Sequence, residues 1–172
     1  MLHDDQRGTA VVTLAALITT TRRFDIKLDS CTVGQIGFGP AGFGIGRLLL
    51  YRGIGRLIDF DIDESATASF VAAGGEAASL EAVIAESDVV VATTGVKGLI
   101  PPESVRKGQV IMALSNPNPE IEPEVALAHG THDAVDGKAV RFPQPLPRCA
   151  QRACTLLDGE AVRGREQPLG AR

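Results

Sequence analysis

The 172-residue chain carries 17 Lys and Arg against 21 Asp and Glu, a formal charge of −4, and 44% of its residues are apolar. That size suits one domain with a real core, while the mild acidity speaks against a nucleic-acid or anionic-membrane surface. Trp is absent and aromatics make up 4%, too few for a platform that stacks single-stranded bases.

No apolar run approaches the roughly 20 residues of a membrane span. Met1-Leu2-His3-Asp4-Asp5 lacks the basic-then-apolar order of a secretory signal. Cys31, Cys149 and Cys154 are odd in number and without metal-ligand spacing, so they read as reduced thiols of a cytoplasmic protein.

In chain order, residues 8–21 hold Ala10, Val11, Leu14, Leu17 and Ile18 at helical spacing, with Asp4 or Asp5 placed to cap the start. Residues 22–30 are a polar connection. A short β-rich run at 32–36 then feeds Gly37-Phe38-Gly39-Pro40-Ala41-Gly42, and residues 43–51 return to helical spacing. A G-x-G-x-x-G between a strand and a helix is a dinucleotide-binding signature. Gly37 permits the tight turn, Gly39 lets backbone approach a pyrophosphate, and Gly42 lets the helix pack close. The helix start adds N–H groups and partial positive charge.

Residues 56–62 read as a second strand ending in acids. Asp61, flanked by Asp59 and Asp63, lies about 20 residues beyond the glycines, where a ribose hydroxyl is held. A carboxylate there repels a 2′-phosphate and favours NAD over NADP.

A short helix is expected at 63–73, stopped by Gly74-Gly75, and another at 80–86 capped by Ser79. Val89-Val90-Val91 is a strand of the doubly covered kind, broken at Thr93-Thr94-Gly95. A helical turn follows Pro101-Pro102, a strand covers 110–114, Ser115-Asn116-Pro117-Asn118-Pro119 breaks it, and residues 123–128 form a last helix. This alternation predicts an α/β fold: a Rossmann-type, doubly wound, mainly parallel sheet with helices on both faces. Residues 37–42, 93–95 and 115–119 then share the rim where ligands bind. The expected organisation is a leading helix and connection (1–31), a dinucleotide-binding domain (32–140) and a poorly ordered Pro- and Arg-bearing tail (141–172).

Three stretches together resemble the bacterial malic enzymes: His3-Asp4-Asp5-Gln6-Arg7-Gly8-Thr9-Ala10, the loop Gln35–Gly42, and Ala113-Leu114-Ser115-Asn116-Pro117-Asn118-Pro119-Glu120-Ile121. The likeness runs from Leu2 to about Val140. That family oxidises malate with NAD or NADP and decarboxylates the bound oxaloacetate to pyruvate with Mg²⁺ or Mn²⁺, a hard cation that polarises the ketone. By resemblance, Asp5 is a metal ligand and Asp4 its orienting neighbour. Gly37, Phe38, Gly39, Pro40, Ala41 and Gly42 surround the pyrophosphate, Asp61 holds the ribose, Thr94 and Gly95 pass the nicotinamide half, and Asn116 binds malate or the nicotinamide riboside.

The sequence departs from the family in two places. The tyrosine, lysine and Glu-Asp pair of the family's preceding domain have no counterpart here; Tyr51 falls on the helix after the glycine loop, and the lysines match no family motif. After Asp136-Gly137-Lys138-Ala139-Val140 the family's paired asparagines and Phe-Pro-Gly segment are replaced by Arg141-Phe142-Pro143-Gln144-Pro145, as a shifted reading frame would produce. The expectation is therefore a chain inactive alone, with Val11, Leu14 and Ile18 left as exposed apolar surface. Full-length relatives are expected to be homo-oligomers. Two other readings are a stand-alone NAD-binding module serving a separate catalytic chain, and the cofactor domain of another enzyme such as an amino-acid dehydrogenase. A gene remnant stands beside them.

Overall fold

A computed structural model describes residues 4–137, with side chains from Gly8 onward. The order of elements is α1 (Asp4–Arg23), β1 (Thr32–Ile36), α2 (Pro40–Arg52), β2 (Arg56–Phe60), α3 (Glu64–Ala72), β3 (Glu76–Ala77), α4 (Leu80–Glu86), β4 (Val89–Ala92), β5 (Val110–Ala113), α5 (Pro123–Ala128) and β6 (Asp133–Asp136). A single 3₁₀ turn, Pro102–Ser104, stands where the double proline predicts helix.

Every strand pair is parallel and the sheet order is β3-β2-β1-β4-β5-β6. The chain works outward from β1, jumps back to lie beside it as β4, and works outward again. That reversal is the doubly wound topology the alternation predicts. Local chemistry sets the helix ends: the Asp63 carboxylate accepts the Ser65 and Ala66 N–H groups, and the Ser79 hydroxyl accepts from Ala82.

The central strands bury both faces, which is why β4 reads as an unbroken apolar run. Val33, Leu57, Val89, Val91, Val110 and Met112 meet α1 and α2 on one side. Ile36, Ile58, Val90, Ile111 and Ala113 meet α4, α5 and the loop bearing Ile100 on the other. Gly34 lets α4 press on β1, because a Cβ there would sit 2.3 Å from Ser87 Oγ.

The structure corrects the expectation that α1 presents an apolar surface. Val11, Leu14 and Ile18 are buried and share one core cluster with α2. The helix also starts at Asp4, four residues earlier than the apolar spacing implies. Asp4 and Asp5 therefore lie within the helix rather than before it. The C-terminal end of α1 lies at the amino ends of the strands: Thr20 Oγ1 donates to Asp133 Oδ2 at 3.3 Å, and Phe24 stacks on His132.

Sequence reading missed the two edge strands, β3 and β6, and ran β2 two residues long. The tail expected at 141–172, with Cys149 and Cys154, lies outside the described residues. Among those described, no helix is long and apolar enough to cross a membrane.

Candidate functional site

The turn out of β1 is built around one carbonyl. Gly37 sits at φ +89, a region open to glycine at little cost, and its N–H donates to the Phe60 carbonyl at 2.9 Å. Its own carbonyl accepts from Gln35 Nε2 at 3.0 Å and Thr93 Oγ1 at 2.9 Å. Gly42 presses on the same carbonyl, and a Cβ there would stand 2.0 Å from the oxygen. Gly42→Ala must therefore displace backbone rather than a side chain. Overpacking of this kind costs about 1–3 kcal/mol, and a thermal melt is expected to show a lowered Tm.

Gly39 differs from its neighbours. It is the N-cap of α2, it is exposed, and a Cβ built on it meets nothing within 4 Å. Pro40 follows as the first helical residue, where its missing N–H is no loss. The first-turn N–H groups of a helix have no partners within it, so this end offers donors and positive potential across open space. Phe38 contributes only backbone here. Its ring is buried, 4.4 Å from Phe70 centroid to centroid.

Asp61 follows β2 directly and faces the loop. Its Oδ2 accepts the Phe38 N–H, and its Oδ1 accepts the Asp63 N–H at 2.8 Å. The three acids therefore have three fates. Asp63 caps α3, and the Ser65 hydroxyl together with the Ser65 and Ala66 N–H groups holds its carboxyl below the usual range. Asp59 is buried inside the sheet with neither oxygen partnered; burial, then the Asp61 charge, pushes it up to about 6. Asp61 alone reaches the rim beside the glycine turn.

The loops after β4 and β5 meet next to it. Thr94, Gly95 and Asn116 all lie at this rim, with Gly95 and Asn116 exposed. A Cβ on Gly137 would stand 2.4 Å from Asn116 Nδ2, so that glycine makes room for the amide. Sequence reading assigned no role to Glu120, which is fully buried and accepts from Thr94 N, Thr94 Oγ1, Ser115 Oγ and Gly95 N. A glutamate in a proline-broken polar run, with only Ile121 before the next acid, gives no sign that it turns inward.

The chain is 50% identical over 141 residues to NAD-dependent malic enzyme 1 of Bacillus subtilis, a match covering 81% of this chain and 32% of the relative. It is 34% identical to NAD-dependent malic enzyme of Geobacillus stearothermophilus, covering 73% and 30%. The solved NAD-dependent malic enzyme of Thermotoga maritima superposes with a TM-score of 0.69 at 28% identity, over 78% of this chain and 40% of that one. The chain is a homologue of the malic enzymes.

It spans about a third of the length of the curated malic enzymes it matches. No family model matches it. Against this malic-enzyme background, the glycine turn, Asp61, Thr94, Gly95 and Asn116 come together at one rim. The Asp4 and Asp5 carboxylates lie outside the described side chains. Tyr51 does not join the rim. It lies in the last turn of α2 and is exposed, about 18 Å along the helix axis from Gly39. Among the described residues no three His, Cys, Asp or Glu side chains come together as a metal site.

Proposed function

We propose that this chain binds NAD across the junction of β1 and β4, as the cofactor-holding part of an enzyme that oxidises and decarboxylates malate to pyruvate. The observation that carries the reading is Gly39, an exposed helix cap with open space where any other residue would put a side chain. That gap is a cradle at the positive end of α2, and the fold puts it at the topological switch point.

The residues fit the group. The first turn of α2 offers N–H donors to the two phosphates. Asp61 already spends one lone pair of each oxygen on backbone N–H groups, which fixes the carboxylate and leaves the other lone pairs for ribose hydroxyls. Its charge disfavours a 2′-phosphate. The exposed Asn116 amide is available to the nicotinamide riboside or to the malate carboxylate. When bound, NAD supplies the hydride acceptor.

Asp5 is the chain's candidate Mg²⁺ or Mn²⁺ ligand, and the described residues supply no set to complete it. The acid–base pair would likewise come from elsewhere, because Tyr51 is the only tyrosine and stands at the far end of α2. The expected result is NAD binding without malate turnover by this chain alone.

The test is NAD titration of the wild-type chain and Gly39→Ala. The empty space around Gly39 lets the variant keep its Tm, while the methyl group fills the cradle and weakens binding by about 1–3 kcal/mol, the scale of overpacking a close-fitting site. Unchanged affinity would remove the glycine turn from the binding site.

A further inference from the structure

We infer that Glu120 is a positioning residue whose carboxylate latches the loops after β4 and β5 together and so shapes the half of the crevice that receives the nicotinamide nucleoside. This rests on the cofactor reading above and adds to it a residue that contacts no ligand.

The geometry is specific. Glu120 Oε1 accepts from Thr94 N at 2.6 Å, Thr94 Oγ1 at 2.9 Å, Ser115 Oγ at 2.6 Å and Gly95 N at 3.2 Å. Ser115 Oγ in turn accepts the Gly95 N–H at 2.8 Å. One oxygen thus gathers donors from two loops that the sheet alone would leave independent. The Glu120 backbone carbonyl adds a third tie, accepting from Ile100 N at 3.1 Å.

Stability alone does not account for this choice of residue. A buried carboxylate is costly unless it is paired or fully hydrogen-bonded. Glu120 is 0% exposed, and its second oxygen is buried with no partner. An unsatisfied buried group needs a reason. The groups it organises supply one: the Gly95 backbone, held at φ +75 with open space around its Cα, and Ser115, next to the exposed Asn116.

Topology says which half of the ligand is affected. In a doubly wound sheet β1 and its neighbours hold one nucleotide, and β4 and its neighbours hold the other. The glycine turn and Asp61 belong to the first half. Thr94, Gly95, Ser115 and Glu120 belong to the second. Loss of the latch should then separate two ligands that share only their adenylate half.

The experiment titrates the full 172-residue chain with NAD and with AMP, comparing wild type, Glu120→Ala and Glu120→Gln. For Glu120→Ala the expected result is about a tenfold loss of NAD affinity with AMP unchanged within about twofold, the scale of losing hydrogen bonds to a charged acceptor. Glu120→Gln keeps an acceptor oxygen in place and is expected to restore NAD binding. If Glu120→Ala does not fold, Ser115→Ala removes one donor to the carboxylate and the Gly95 N–H partner from a half-exposed position, and the same split is expected. Equal losses for both ligands, or no loss for NAD, would overturn the role. Failure of the wild-type chain to bind either ligand would overturn the cofactor reading and this role with it.

Discussion

Asp61→Ala is expected to weaken NAD binding by roughly 10- to 100-fold, the range for a hydrogen bond to a charged group. Two losses combine. The ribose loses its carboxylate, and the N–H groups of Phe38 and Asp63 lose the oxygens that now accept from them. The second loss loosens the glycine turn, so part of the effect reaches the phosphates. Asp61→Asn separates the two: its side-chain oxygen can still accept one backbone N–H, while the charge that repels a 2′-phosphate is gone. It should bind NADP better relative to NAD than the wild type does. Fluorescence titration with NADH and NADPH reads both, and an Asp61→Ala variant with wild-type NADH affinity would show that another group holds the ribose.

Asp59→Asn is expected to raise stability at neutral pH and to flatten its pH dependence. Asp59 lies in register with Gln35 on β1, and both its oxygens and Gln35 Oε1 are buried without partners. Burial raises the folded-state value from 3.8 to about 6, so the folded chain binds a proton more tightly than the unfolded chain. The stabilising contribution of that proton is fully present below about 4. It falls as pH rises and is gone above about 6, where the carboxylate must sit charged inside the sheet. The neutral amide avoids that cost and can donate to the orphaned Gln35 oxygen. A gain on the order of 1–3 kcal/mol at pH 7.5, shrinking toward pH 4, is the expected denaturation result. A pH-independent difference would mean that Asp59 does not titrate in this window.

These two acids show where sequence reading stopped. Period-2 alternation puts alternate residues of a strand on opposite faces, but it does not say where a strand ends. Distance from the glycines singles out Asp61 in the sequence, but what becomes of Asp59 and Asp63 depends on β2 stopping at Phe60. The first acid then fell inside, the second on the rim and the third at a helix cap. Elements with strong punctuation were legible: β1 and α2 around the glycines, α4 behind Ser79, and β4 and β5 as apolar runs. Edge strands were not. Glu76-Ala77 is too short to carry a pattern, and Asp133-Ala134-Val135-Asp136 has acids at both ends, so its place beside β5 comes from main-chain pairing. Glu120 was visible within a family motif, but its inward turn depends on Thr94 and Ser115, which only the fold brings to it.

The short edge at β3 bears on how copies of the chain meet one another. An exposed strand edge is a template for another chain to add to, and long flat apolar edges aggregate. Among the described residues, the edge strand on this side is only Glu76 and Ala77, both exposed. The Arg56 guanidinium at the start of β2 binds Glu76 at 2.9 Å and Glu86 of α4 at 2.6 Å, keeping charge along the margin. An incoming strand would find two residues of backbone and would have to strip water from three ionised side chains. Six parallel strands can thus stay a finite sheet on this side, with no covering element required.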